Sequence, residues 1–207
     1  MIERILEYLD ELYLEPKCEL NYNKDYEFLI AIVLSAQTTD KRVNKVTDVL
    51  FKKYSSLEEL SRADVLDIAN IIREIGTFRK KSVYVIDIAK KLVDDGYDYI
   101  PNDREYIESL PGVGRKTANV FLSNIYNEAA IAVDTHVSRV SIRLGLANKN
   151  DSVLKIEKKL EKKIPKNRWG KTHHQMVLFG RYHCKSMKPE CDSCKLKDIC
   201  KYYKNKK

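Results

Sequence analysis

Residues Leu110–Val120 read LPGVGRKTANV, and the order of residue types in this stretch decides the architecture. Pro111 ends the helix expected over REYIESL, which Asn102 and Asp103 can cap. Gly112 and Gly114 permit positive φ and let the backbone approach a ligand closely. Beyond them Ala118, Phe121, Leu122 and Ile125 recur at the i, i+3, i+4, i+7 spacing of a buried helix face. The stretch therefore reads as two helices joined by a tight hairpin, whose amides sit at the positive pole of the second helix and suit a phosphate. Lys116 stands at the start of that helix, on another face, where the unpaired amides and the dipole disfavour a cation. By itself it reads as an exposed lysine beside a structural turn; the other reading is a lysine free to point into a cleft.

Outward from the hairpin, helical periodicity continues in both directions. MIERILEYLDELYLEP sets Ile2, Ile5, Leu6, Leu9 and Leu12 at helical spacing with acids between them, an amphipathic helix and not a signal peptide. YEFLIAIVLSAQ is almost continuously apolar without strand-bounding turns, and reads as a buried helix. SSLEELSRADVLDIANIIREIG opens with Ser56 three residues before Glu59, a capping-box spacing, and is expected to run as a helix to Gly76. KKSVYVIDIAKKLVDDG is expected to stop at Gly96. Only AAIAV could pass for a strand, and there is no repeat, low-complexity tract or long linker. The fold class is all-α. No run is apolar enough to span a bilayer, and the expected compartment is the cytoplasm.

Two further motifs carry chemistry. AVDTHVSRV places Asp134 ahead of a helix with Val137, Val140 and Leu144 on its buried face, which is the place of an N-cap; a cap can also be catalytic. Near the carboxyl end, CKSMKPECDSCKLKDIC sets Cys184, Cys191, Cys194 and Cys200 at C-x6-C-x2-C-x5-C spacing. Four thiols so close together, without a secretion signal, argue for a metal centre over disulfides. Spacing alone leaves both a four-thiolate zinc and an iron–sulfur cluster open. Lys185 and Lys188 put positive charge on the loop between the first two cysteines, and Cys18 is expected to be a plain buried or partly buried thiol.

The net charge of +8 conceals a division. Residues 155–207 hold 17 Lys and Arg against 5 Asp and Glu, whereas residues 1–154 hold 21 against 25. The carboxyl third is a polycation. A polyanion such as nucleic acid is one natural partner, because each Lys or Arg on a phosphate releases counterions; a solvated lysine-rich helix face is the other reading.

Taken together and in order, LSAQTTD, LPGVGRKTANV, AVDTHVSR, FGRYHC and the cysteine run resemble the endonuclease III family of helix-hairpin-helix DNA glycosylases, over nearly the whole chain. The resemblance implies a two-lobed all-α protein. Residues 18–128 would form a helical bundle ending in the helix-hairpin-helix, and residues 1–17 with 129–207 a lobe around a [4Fe-4S] cluster held by Cys184, Cys191, Cys194 and Cys200. It implies Lys116 as nucleophile, Asp134 as catalytic carboxylate, and Gly112, Val113 and Gly114 as the amides that hold a DNA phosphate. Gln37 would fill the space left by an extruded nucleotide, and Lys185 and Lys188 would contact DNA. The activity implied is removal of oxidised pyrimidines from double-stranded DNA and β-elimination at the abasic site, by a protein compatible with a monomer and with a nucleoid location. The rivals are a monofunctional glycosylase in which Asp134 activates water, and a non-catalytic DNA-binding module with structural zinc. The ordinary lysine pKa near 10.4 leaves an amine mostly protonated at pH 7, so a helix N-terminus, partial burial and Arg115 are expected to favour a neutral Lys116. In IGTFRKKS, Thr77 stands where many relatives carry an apolar wedge; Phe78 follows it, and a lone aromatic near a helix end is expected to be core.

Overall fold

A computed structural model describes residues 1–205, and every regular element among them is helical. The chain divides into two compact units, Glu19–Tyr126 and Met1–Cys18 with Asn127–Lys207. The amino-terminal helix α1 (Ile2–Leu12) belongs to the second.

Within Glu19–Tyr126, α2 (Asp25–Ser35) is the central element. Phe28, Leu29, Ile30, Ala31 and Leu34 are completely buried, so this helix is apolar around its circumference, as its unbroken sequence run requires. Its start is closed by Glu27, whose carboxylate accepts the Asn23 and Lys24 amides at 2.7 and 3.2 Å. Around it follow α3 (Asp40–Lys53), α4 (Leu57–Ser61), α5 (Val65–Ile71), α6 (Phe78–Asp94), α7 (Arg104–Ser109) and α8 (Arg115–Ile125).

The segment expected to run as one helix from Ser56 to Gly76 is two. Ser56 caps α4 as expected, but the chain breaks at Arg62–Asp64, where the Asp64 carboxylate accepts the Leu66 amide at 2.6 Å and starts α5. The competing principle is local: an aspartate offers the backbone an alternative to the helical ladder. α5 then ends at Ile71, short of Gly76. At Gly96 the expected stop holds, with φ +79° just past α6. Ile125, expected on the buried face of α8, is only half-buried, and Asn119 takes a buried place instead.

In the other unit, α9 (Thr135–Leu144), α10 (Val153–Lys163), α11 (Trp169–Leu178) and the short α12 (Lys201–Lys204) follow α1. Ile5 and Leu9 pack with Val137, Val140, Leu160 and Phe179 in one apolar core, which explains why a helix at residue 2 belongs with the carboxyl third. The AAIAV run is not a strand. It is an irregular segment with Ala130–Val133 buried, and its Ala132 carbonyl accepts a hydrogen bond from the buried His173 ring at 2.8 Å; a carbonyl can only accept, so Nδ1 carries the proton.

Beside that apolar packing, one carboxylate of α1 gathers several polar links. Asp10 Oδ1 receives Arg168 at 2.8 Å, Lys171 at 2.7 Å and Gln175 at 2.9 Å. Burial alone would raise its pKa, but these three donors outweigh burial and hold it at about 2. A depressed carboxylate contributes stability that is present above its unfolded pKa near 4 and is lost as pH falls toward 2. Asp10→Asn is therefore expected to cost about 1–2 kcal/mol at pH 7, discounted for partial exposure, and only about 0.4 kcal/mol or less at pH 2. Urea titration at the two pH values checks this, and equal losses at both would contradict it.

Candidate functional site

The hairpin is built from residues whose placement the sequence explains. Asp103 caps α7 through the Glu105 and Tyr106 amides, at 2.9 and 3.1 Å. The Arg104 guanidinium then reaches the buried Asn119 of α8 at 2.8 Å and ties the two arms together. Between them Leu110 and Val113 are buried and anchor the turn. Gly112 adopts φ +77°, and a Cβ there would stand 2.5 Å from the Tyr84 ring, so glycine is required twice over.

Two expectations for the turn are corrected. Gly114 does not use a positive φ: it is the extended N-cap of α8, φ −114°, with open space where a Cβ would be. The Val113 amide is not open to a ligand, because it donates to Leu110 at 3.1 Å. Among the described residues, no hydrogen bond engages the exposed Gly112 and Gly114 amides. Lys116 is the second residue of α8. It is exposed, so the partial burial expected of it is absent; what distinguishes it is its place on the first turn, where no acidic residue offsets the dipole.

Gln37 lies in the same unit, exposed in the turn after α2, with φ +58°. Thr77 precedes α6 in the same left-handed region, φ +56°. Phe78 is half-buried with the Arg79 guanidinium 5.1 Å from its ring centre, and is not part of the core.

Asp134 belongs to the other unit, where its Oδ1 caps α9 by accepting the Val137 amide at 2.7 Å. Half-buried, it has no partner for Oδ2 among the described residues. Gly180 fixes this helix start from outside: it lies in a π-helical turn, Phe179–His183, and a Cβ on it would meet His136 Cβ at 2.8 Å.

All four carboxyl-terminal cysteines, Cys184, Cys191, Cys194 and Cys200, line one cavity together with Leu144, Phe179 and Tyr202. Burial pushes the Cys194 thiol up, and the neighbouring Cys200, Cys184 and Cys191 push it further. Among the described residues no three side chains converge as ligands of a single ion. Two arginines that the sequence reading left unassigned hold the first cysteine. Arg143 donates to the Cys184 and Lys185 carbonyls at 3.2 and 2.6 Å and to Cys184 Sγ at 3.4 Å, and Arg139 donates to the Cys184 carbonyl at 3.2 Å. Their four-residue spacing on α9 was the available signal. From the amino-terminal side, Arg4 forks onto Asp198 at 2.6 and 2.8 Å. Lys185 is paired with Glu190 at 2.6 Å, whereas Lys188 is exposed at φ +48°. Cys18 is half-buried and outside this group.

An all-helical chain with a glycine hairpin and a four-cysteine tail defines a class, and comparison with known proteins agrees with it. Residues 30–166 match the family described as HhH-GPD superfamily base excision DNA repair protein. Endonuclease III of Bacillus subtilis is 42% identical, covering 97% of this chain and 91% of its own length. Endonuclease III of Escherichia coli is 39% identical, covering 96% and 93%. The structure of a trapped covalent intermediate of endonuclease III with DNA superposes with a TM-score of 0.95 at 45% identity, covering 99% of this chain and 96% of that one. The chain belongs to the endonuclease III family. No described helix is long and apolar enough to cross a membrane.

Proposed function

We propose that this protein is a bifunctional DNA glycosylase and abasic-site lyase of base excision repair, acting on oxidised pyrimidines in double-stranded DNA. The observation that carries the reading is Lys116 on the first turn of α8, directly after a hairpin with two open backbone amides. The Gly112 and Gly114 amides hold a backbone phosphate; Val113 serves as the buried anchor of that turn. Lys116 is then beside a deoxyribose turned out of the duplex, and Gln37 occupies the space that the nucleotide leaves.

The chemistry follows from the amine. Neutral Lys116 attacks C1′, the C1′–N bond breaks, and its electron pair leaves with the base, which takes up a proton. The sugar ring opens as O4′ accepts a proton, giving an iminium between Nζ and C1′. Asp134, with one carboxylate oxygen unclaimed by its cap, balances the positive charge that develops on the sugar. The iminium draws electrons from C2′, a C2′ proton is lost, and the C3′–O bond breaks. The strand is nicked 3′ to the lesion, and water then releases the lysine.

The lobe of residues 1–17 and 129–207 carries a [4Fe-4S] cluster on Cys184, Cys191, Cys194 and Cys200. The support is that four thiols, a donor set suited to iron, line one cavity. When bound, the cluster ties together the loop on which Lys185 and Lys188 meet DNA phosphates. The chain works as a monomer in the cytoplasm or nucleoid.

The test is borohydride reduction on duplexes containing an abasic site or thymine glycol, followed by peptide mapping. A covalent adduct on the peptide containing Lys116 is the expected result, and bound DNA without an adduct would refute the lyase. Iron and sulfide analysis of the purified protein tests the cluster separately: a brown protein is expected, and a colourless one holding zinc would refute it.

A further inference from the structure

Lys81 is a buried cation that the chemistry above does not use. Its side chain is 5% exposed, and no carboxylate among the described residues pairs with it. Instead its Nζ donates to the Leu34 carbonyl at 2.9 Å and to the Ala36 carbonyl at 2.6 Å, the last carbonyls at the carboxyl end of α2. A cation suits that negative pole, where backbone acceptors lack helical partners. Burial nonetheless pushes the ammonium below its ordinary pKa, so placing it there has a cost that an apolar side chain would avoid.

The same residue closes a second turn. Its amide, with that of Lys80, donates to the Thr77 carbonyl at 3.1 and 3.0 Å. A third link joins the two turns: the Gly76 amide donates to Thr38 Oγ1 at 3.3 Å, and a Cβ on Gly76 would stand 3.6 Å from the Gln37 carbonyl. Gln37 and Thr77 are far apart in sequence, and both are exposed non-glycine residues in the left-handed region. Such strain persists only where the surroundings over-determine it, and it gathers at clamps and ligand sites.

We propose that Lys81 is a positioning residue that locks the Gln37 and Thr77 turns into one rigid projection, so that Gln37 enters the duplex without first paying to order its loop. The inference rests on the reading that Gln37 fills the space of the extruded nucleotide. Lys81 touches neither sugar nor base; it fixes the backbone from which Gln37 projects. Its removal leaves the amine chemistry intact and weakens only the step that needs a second strand.

The experiment compares native protein with Lys81→Met, Gln37→Ala and the double variant, on a thymine-glycol duplex and on a single-stranded abasic oligonucleotide trapped with borohydride. With Lys81→Met, duplex excision is expected to fall about ten- to a hundredfold, the loss typical of a buried charged donor's hydrogen bonds, while single-strand trapping stays within about twofold. Gln37→Ala should lower duplex excision at least as far, and the double variant no further than Gln37→Ala alone, because the two residues act as one unit. If Gln37→Ala lowers duplex excision and Lys81→Met does not, this inference fails and the gap-filling reading stands. If Gln37→Ala has no effect, the gap-filling reading fails and takes the inference with it. Equal losses on both substrates with Lys81→Met would reduce Lys81 to a structural role. The same comparison on Lys81→Gln, which keeps a donor for one carbonyl, decides the matter should the Met variant not fold.

Discussion

Lys116→Ala is expected to lower base excision by about a thousandfold or more, the scale on which removal of a covalent nucleophile acts. Duplex affinity should stay within about threefold, because phosphate binding is assigned to backbone amides and to a polycationic carboxyl third, not to this side chain. Lys116→Arg should be as inactive as the alanine variant: a guanidinium does not deprotonate in proteins and cannot attack C1′. The pair of variants separates charge from nucleophilicity. Single-turnover rates on a thymine-glycol duplex, beside equilibrium binding of the same duplex, give both quantities. An arginine variant with native rates would mean that Lys116 serves as a charge, and Asp134 with water would become the reacting pair.

How much of this was legible in the sequence depended on the range of the interaction. The hairpin was readable because its signals are adjacent: Pro111, two glycines and a helical face beginning at Ala118. The cysteine run was readable for the same reason. The break at Asp64 was missed because Ser56 and Gly76 looked like the two ends of one helix, while an aspartate in the middle had a local alternative to the ladder. Lys81 was invisible in principle, since nothing in FRKKSVYV distinguishes a lysine that reaches the carbonyls of α2 from its exposed neighbour Lys80. Arg143 and Gly180 likewise matter through residues far along the chain. Gly114 shows the opposite error: a glycine read as conformational is extended, with open space where a Cβ would be.

That contrast between the two glycines gives the second large effect. Gly112→Ala must place a Cβ at φ +77°, which costs about 1–2 kcal/mol for an L-residue. The same Cβ lies 2.5 Å from Cδ2 and 2.9 Å from Cε2 of Tyr84, and relieving an overlap of this kind costs about 1–3 kcal/mol more. The clash reaches back to Cγ at 3.1 Å, so relieving it requires the whole ring to turn about the Cα–Cβ bond. Gly112→Ala is therefore expected to lose about 2–5 kcal/mol in all and, because the hairpin shifts, about ten- to a hundredfold in duplex affinity. Gly114→Ser should lose no stability, because Gly114 has an ordinary φ, nothing stands within 4 Å of its Cβ position, and serine is a preferred N-cap. Adding Tyr84→Ala to Gly112→Ala separates the two costs: it removes the overlap and leaves the backbone strain, so recovery should be partial. Denaturant midpoints for the four proteins measure these differences. Full recovery in the double variant would show that the ring alone demands glycine, and no recovery would show that the left-handed backbone does.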